Sequence, residues 1–204
     1  EYKRQRFKQP WYTGDTITAG IGQSYWLTTP LQIAQSTAIV GMRGDAFEPH
    51  ILGATAMPPS NQKEFVIPTP ISPIILKDDH YWDAVIDGMV SVVHGARGTA
   101  RTTKSADYVT AGKTGTAQVK TIAQGAKYDA KNLDRRHHDH AWYVAFAPAE
   151  APKIAIAVIV ENGGSGSRVA APIAKKVYDA WLKDFDTPFA KETLARVKAE
   201  ETST

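Results

Sequence analysis

The stretch Val109-Thr110-Ala111-Gly112-Lys113-Thr114-Gly115-Thr116-Ala117-Gln118-Val119 holds the chemical information that decides how the rest of the sequence is read. Gly112-Lys113-Thr114 fits the last three positions of a phosphate-binding P-loop. That pattern, however, needs a glycine where Asp107 stands and a helix directly after Thr114. Gly115, Thr116 and Val119 start helices poorly and suit an extended edge. The stretch therefore reads as a strand that presents Lys113, and nucleotide hydrolysis is the least favoured chemistry.

The elements around this strand follow from local signals. Thr29-Pro30-Leu31-Gln32 has the form of a helix start, with Thr29 as N-cap, proline at the first helical position and Gln32 closing a capping box. It predicts a helix to about Val40, broken by Gly41-Met42-Arg43-Gly44-Asp45. From Phe47 to Pro73, proline and polar residues dominate and read as surface connection, with one short extended piece around Phe65-Val66-Ile67. From His80, the residues Tyr81, Trp82, Val85, Ile86, Met89, Val92 and Val93 recur at helical spacing, with Asp78 or Asp79 as cap and Gly95 as terminator. Further on, 141–147 and 154–160 are continuous apolar runs joined by Pro148-Ala149-Glu150-Ala151-Pro152-Lys153. They predict an antiparallel hairpin of two central strands. After Gly163-Gly164-Ser165-Gly166, Ser167 is placed to cap a helix with an apolar stripe of Val169, Ile173, Val177 and Trp181, ending before Pro188.

Composition bounds the function. The 204 residues are 43% apolar and 22% charged, as expected for one globular domain with a real core. The formal charge of +3 is small and the basic residues are scattered, so no nucleic-acid partner is indicated. Lys3-Arg4-Gln5-Arg6 reads as a solvated terminus. The absence of cysteine excludes disulfides and thiolate metal sites, and fits both a reducing cytosol and an oxidising periplasm. No segment approaches the ~20 apolar residues that span a bilayer. The chain opens at Glu1 in charged sequence without methionine, which suggests a piece of something longer with room for an upstream anchor.

With these motifs placed, a resemblance becomes specific. Lys113-Thr114-Gly115-Thr116-Ala117-Gln118 resembles the substrate strand of class B penicillin-binding proteins, whose Lys-Thr-Gly motif belongs to serine acyltransferases. Gly14-Asp15-Thr16, Gly20-Ile21-Gly22-Gln23 and Thr29-Pro30-Leu31-Gln32 are similar to the loop and helix after the second motif of that family. Gly98-Thr99-Ala100, Asp139-His140-Ala141-Trp142, Phe146-Ala147-Pro148 and Glu161-Asn162-Gly163-Gly164 appear in matching order. The likeness runs from about Trp11 to Trp181 and is greatest to the elongation-type branch.

The resemblance implies an α+β fold of the serine transpeptidase/β-lactamase type: an antiparallel sheet flanked by helices, incomplete in this chain. Residues 1–185 are then the C-terminal part of the transpeptidase domain, and 186–204 a flexible tail. The implied reaction is D,D-transpeptidation of peptidoglycan through an acyl-serine intermediate, in the bacterial periplasm and anchored to the inner membrane by an upstream segment. The implied catalytic residues are Lys113 and Thr116, and the substrate-binding ones are Lys113, Thr114, Gly115 and Thr116. Implied partners are stem peptides, β-lactams, the N-terminal part of the same protein and other elongation proteins; no cofactor is implied. The rival readings are a carboxypeptidase or β-lactamase that passes the acyl group to water, and a non-catalytic β-lactam sensor.

The family's Ser-x-x-Lys and Ser-x-Asn motifs should lie upstream of Glu1. Ser60-Asn61-Gln62-Lys63 matches the first pattern literally, but it follows Pro58-Pro59, lacks an apolar helical run and stands in the wrong order. It reads as a solvated loop. His137-His138-Asp139-His140 sits too close in sequence to surround one ion, so no metal site is expected. In the resemblance it ends a connecting loop over 120–138. His50, His80 and His94 read as surface or helix-end residues.

Overall fold

A computed structural model describes residues 1–22, 25–59, 62–119 and 133–184. Its centre is a three-stranded antiparallel sheet of β1 (Ala111–Ala117), β2 (His140–Ala147) and β3 (Ile154–Val160), in that order. The register sets Lys113 opposite Val144, Thr114 opposite Tyr143 and Thr116 opposite Ala141. In the second pair Tyr143 stands opposite Val158. The Ala149 N–H donates to the Val109 carbonyl at 2.8 Å, tying the hairpin turn to the entry of β1.

Side-chain alternation gives the sheet two different faces. On one, Ala141, Tyr143 and Ala145 form a core with Val93, Ala170, Ala171, Ala174 and Tyr178. On the other, Phe146 meets helix α1 (Pro30–Gly41), where Gly41 leaves space for the ring: a Cβ there would lie 3.1 Å from it. Helix α2 (His80–His94) packs along β1, and α3 (Ala171–Asp184) follows one π-helical turn at Gly166–Ala170. The flanked antiparallel sheet of the implied fold is thus present.

The local signals of α1 hold in detail. Thr29 Oγ1 accepts from the Gln32 N–H at 3.2 Å and Gln32 Oε1 accepts from the Thr29 N–H at 2.8 Å. At α2 Asp79 takes the N-cap position without a side-chain cap bond, while the Asp78 carboxylate accepts from the His80 N–H at 3.0 Å. Gly95 does terminate that helix, in extended backbone.

Other expectations need correcting. Of the two apolar runs only β2 is central; β3 is an edge among the described residues and is half-buried along its whole length. The surface connection contains two small antiparallel pairs, 46–47 with 70–71 and 54–56 with 63–65, so the extended piece precedes the expected position by two residues. On α3 the buried face is Ala171, Ala174 and Tyr178, continued by Ala170 of the π-helical turn, while Ile173, Val177 and Trp181 are exposed. Small side chains let the helix sit close to the alanine-rich sheet face, which turns the larger apolar stripe outward. Ser167 lies inside the π-helical turn, and Ser165 precedes it.

The basic N-terminus is not solvated throughout. It forms a short helix at Tyr2–Phe7, followed by another at Thr13–Gly20. Lys3 is buried, with Nζ 2.5 Å from Asp15 Oδ2 and 4.2 Å from the Tyr12 ring centroid. Burial of an ammonium requires such an ion pair and ring face. Ser60 and Asn61, most of the 120–138 connection and the 186–204 tail lie outside the described residues.

Candidate active site

Strand β1 pairs with β2 on one side only among the described residues, which leaves its other edge open. On it Lys113 and Thr116 are exposed and Thr114 and Gly115 half-buried. The Lys113 ammonium curls back to donate to the Thr114 carbonyl at 2.6 Å. The Thr114 hydroxyl lies 2.8 Å from that of Thr99. The four residues singled out from sequence are therefore contiguous on an open strand that carries one cation and two hydroxyls.

The strand is held from behind and at both ends. Gly166, at the start of the π-helical turn, lies so near β1 and β2 that a Cβ would stand 2.3 Å from the Trp142 carbonyl oxygen and 2.5 Å from that of Gly115. A Cβ at Gly112 would meet the Tyr143 hydroxyl at 2.3 Å. At the entry, the Thr110 N–H donates to His94 Nε2 at 3.0 Å. At the exit, Asp139 Oδ1 accepts from the Val119 N–H at 3.3 Å, and the Asp139 carbonyl accepts from the Gly164 N–H at 2.8 Å.

Electrostatics set these supports apart from the open edge. Burial and the charge of Lys104 hold the His94 imidazole below its ordinary pKa, in keeping with the neutral ring that accepts from Thr110. Burial pushes the phenols of Tyr108, Tyr143 and Tyr178 up, and Tyr108 donates to Asp179. Raised phenol pKa values leave the three rings themselves neutral, and the Asp179 carboxylate beside Tyr108 is paired with Lys175 at 2.6 Å.

The histidine cluster is bound into backbone structure. His140 Nδ1 accepts from the Asn162 N–H at 2.9 Å, and Asn162 Nδ2 donates to the carbonyls of Arg136 at 3.0 Å and His138 at 2.9 Å. No group of three or more potential metal ligands forms among the described residues. None of their helices is long and apolar enough to cross a membrane. Sequence reading gave Thr99 and Asn162 only as members of ordered motifs and His94 as a surface or helix-end residue, and missed the contacts that place them in this arrangement. Their partners lie 15 or more residues away, and single-chain periodicity carries no signal for such pairs.

Comparison with known proteins identifies the family. The chain is similar to a peptidoglycan D,D-transpeptidase MrdA of Haemophilus influenzae, with 42% identity over 185 residues, 89% of this chain and 28% of that protein. The fold is similar to Pseudomonas aeruginosa PBP2, solved in complex with WCK 5153, with TM-score 0.69 and 47% identity over 89% of this chain and 35% of that one. It is also similar to the Helicobacter pylori PBP2 solved as a complex with MreC, with TM-score 0.66 and 32% identity over 88% and 30% of the two chains. The chain thus spans about a third of the length of these relatives. The family model for the penicillin binding protein transpeptidase domain matches residues 3–179, nearly the whole described chain, and this chain belongs to that family.

Proposed function

We propose that the chain supplies the substrate-binding strand of a peptidoglycan D,D-transpeptidase of the elongation type. The observation that carries this reading is the open edge of β1, with Lys113 and Thr116 exposed and Thr114 between them, in a chain 42% identical to a D,D-transpeptidase. Lys113 supplies a fixed positive field and Thr114 a hydroxyl for the terminal carboxylate of a D-Ala-D-Ala peptide. Gly115 leaves the substrate backbone room to lie along the strand. The Thr116 N–H serves as one oxyanion donor, a type of contact worth about 3 to 4 kcal/mol in the transition state.

In this reading a serine oxygen from the upstream part of the domain attacks the penultimate D-alanine carbonyl. The peptide C–N bond breaks, the terminal D-alanine leaves with a proton, and an acyl-serine ester remains. An amine of a neighbouring stem peptide attacks that ester, forms the cross-link and returns the serine. β-Lactams enter the same site as acylating mimics. The protein works in the periplasm, anchored by an upstream segment, and meets other elongation proteins, a reading supported by the MreC complex of the Helicobacter pylori relative.

Incubation of the protein carrying the complete domain with a stem peptide and an amine acceptor, followed by mass analysis, tests this. Cross-linked product is expected. Hydrolysed peptide alone would mean a carboxypeptidase, and no turnover with stoichiometric β-lactam binding would mean a sensor.

A further inference from the structure

Thr99 stands against Thr114 across a 2.8 Å hydroxyl–hydroxyl contact. Its backbone has little freedom to shift. Gly98, just before it, passes so close to the end of α2 that a Cβ would lie 2.3 Å from the Val92 carbonyl oxygen. Ala100, just after it, is fully buried, and its N–H donates to that same carbonyl at 3.0 Å. The Gly98 N–H donates to the Gly95 carbonyl, also at 3.0 Å. The branched Thr99 side chain thus stands on a fixed turn, and α2, which carries the turn, packs along β1.

A hydroxyl has one proton to give. Two facing hydroxyls share one hydrogen bond, so one donates and the other keeps its proton for a third group. If Thr114 donates to Thr99, its proton is turned away from any ligand. If Thr99 donates, the Thr114 proton is released, and the bond it accepts makes it a better donor. An anion arriving at Thr114 favours the second arrangement.

We propose that Thr99 is a positioning residue that donates to Thr114 Oγ1 and so directs the Thr114 proton towards the terminal carboxylate of the peptide substrate. The inference rests on the proposed role of Thr114 and adds the residue that orients it. Thr99 acts through Thr114 and sharpens selection for substrates ending in a free carboxylate.

Stopped-flow acylation of the protein carrying the complete domain tests this. Wild type, Thr99→Val, Thr99→Ser and Thr114→Val are each measured with a carboxylate ligand and its amide counterpart. Valine keeps the branched shape of Thr99 and deletes the hydroxyl. It is expected to slow the carboxylate ligand about threefold to tenfold and the amide ligand by under about twofold, whereas serine stays within about twofold of wild type. Equal losses on both ligands for Thr99→Val, or no rescue by serine, would overturn the inference by showing a structural role. Loss of carboxylate preference in Thr114→Val together with its retention in Thr99→Val would overturn this inference alone. Unchanged preference in Thr114→Val would remove the role of Thr114 itself and this inference with it.

Discussion

The Nε2 atom of His94, the last residue of α2, accepts a hydrogen bond from the Thr110 N–H one residue before β1, at 3.0 Å. Only an imidazole with an unprotonated Nε2 makes this bond, and burial together with Lys104 holds the ring below its ordinary pKa. The folded state therefore binds fewer protons than the unfolded one between the depressed value and about 6.5. His94 contributes stability that is present in full above that upper limit and is lost as pH falls through the folded value. Thermal melts of wild type and His94→Phe as a function of pH should differ most at the high end and converge as pH is lowered. Parallel curves would show that His94 is not coupled to the strand.

Gly112 and Tyr143 make a second support, because a Cβ at position 112 would fall 2.3 Å from the Tyr143 hydroxyl and 2.8 Å from its Cζ. Tyr143 is fully buried and cannot step aside. Gly112→Ala should destabilise the protein by about 1 to 3 kcal/mol, as overpacking does. Adding Tyr143→Phe removes the nearer of the two atoms and should recover part of that loss. Denaturant unfolding of the single and double variants decides, and additive losses would contradict the contact.

Asn162 has a left-handed backbone with φ of 53° and donates to the Arg136 and His138 carbonyls, tying the chain before β2 to the end of β3. Glycine accepts this backbone and alanine does not. Asn162→Ala should cost about 2 kcal/mol and Asn162→Gly about 1 kcal/mol, the difference being the backbone term. Equal costs in unfolding experiments would mean that the hydrogen bonds alone matter.

The capping box of α1 is a test of purely local structure. Thr29→Ala removes the acceptor for the Gln32 N–H and should cost about 1 kcal/mol, measured as a shift of the unfolding midpoint. This cap, the hairpin of β2 and β3 and the strand at Lys113 were all legible in the sequence because their signals lie within a few residues of the element they specify. The orientation of α3 was not. Its Ile173, Val177 and Trp181 stripe is the more hydrophobic, but the sheet face beneath carries Ala141 and Ala145 on either side of Tyr143, and Ala171, Ala174 and Tyr178 pack against it. Lys3 was misread for a similar reason. A basic terminal run looks solvated until Asp15 and Tyr12 are folded over it. At the candidate site, residues 113–116 stand side by side in the sequence, whereas the contacts of Thr99 with Thr114 and of His94 with Thr110 become visible only once α2 is docked along β1.

The central claim is that β1 recognises a carboxylate through Thr114 in the field of Lys113. Thr114→Val keeps the shape and deletes the hydroxyl. Losing a hydrogen bond to a charged group should cost about 1.5 to 3 kcal/mol, roughly tenfold to a hundredfold in the acylation rate constant. Lys113→Ala should cost more, since it removes a long-range charge as well as a donor. The most direct measurement is stopped-flow acylation of wild type and Thr114→Val, in the protein carrying the complete domain, with a carboxylate ligand and its amide counterpart. A loss concentrated on the carboxylate ligand is the predicted result, and an equal loss on both would contradict carboxylate recognition by this strand.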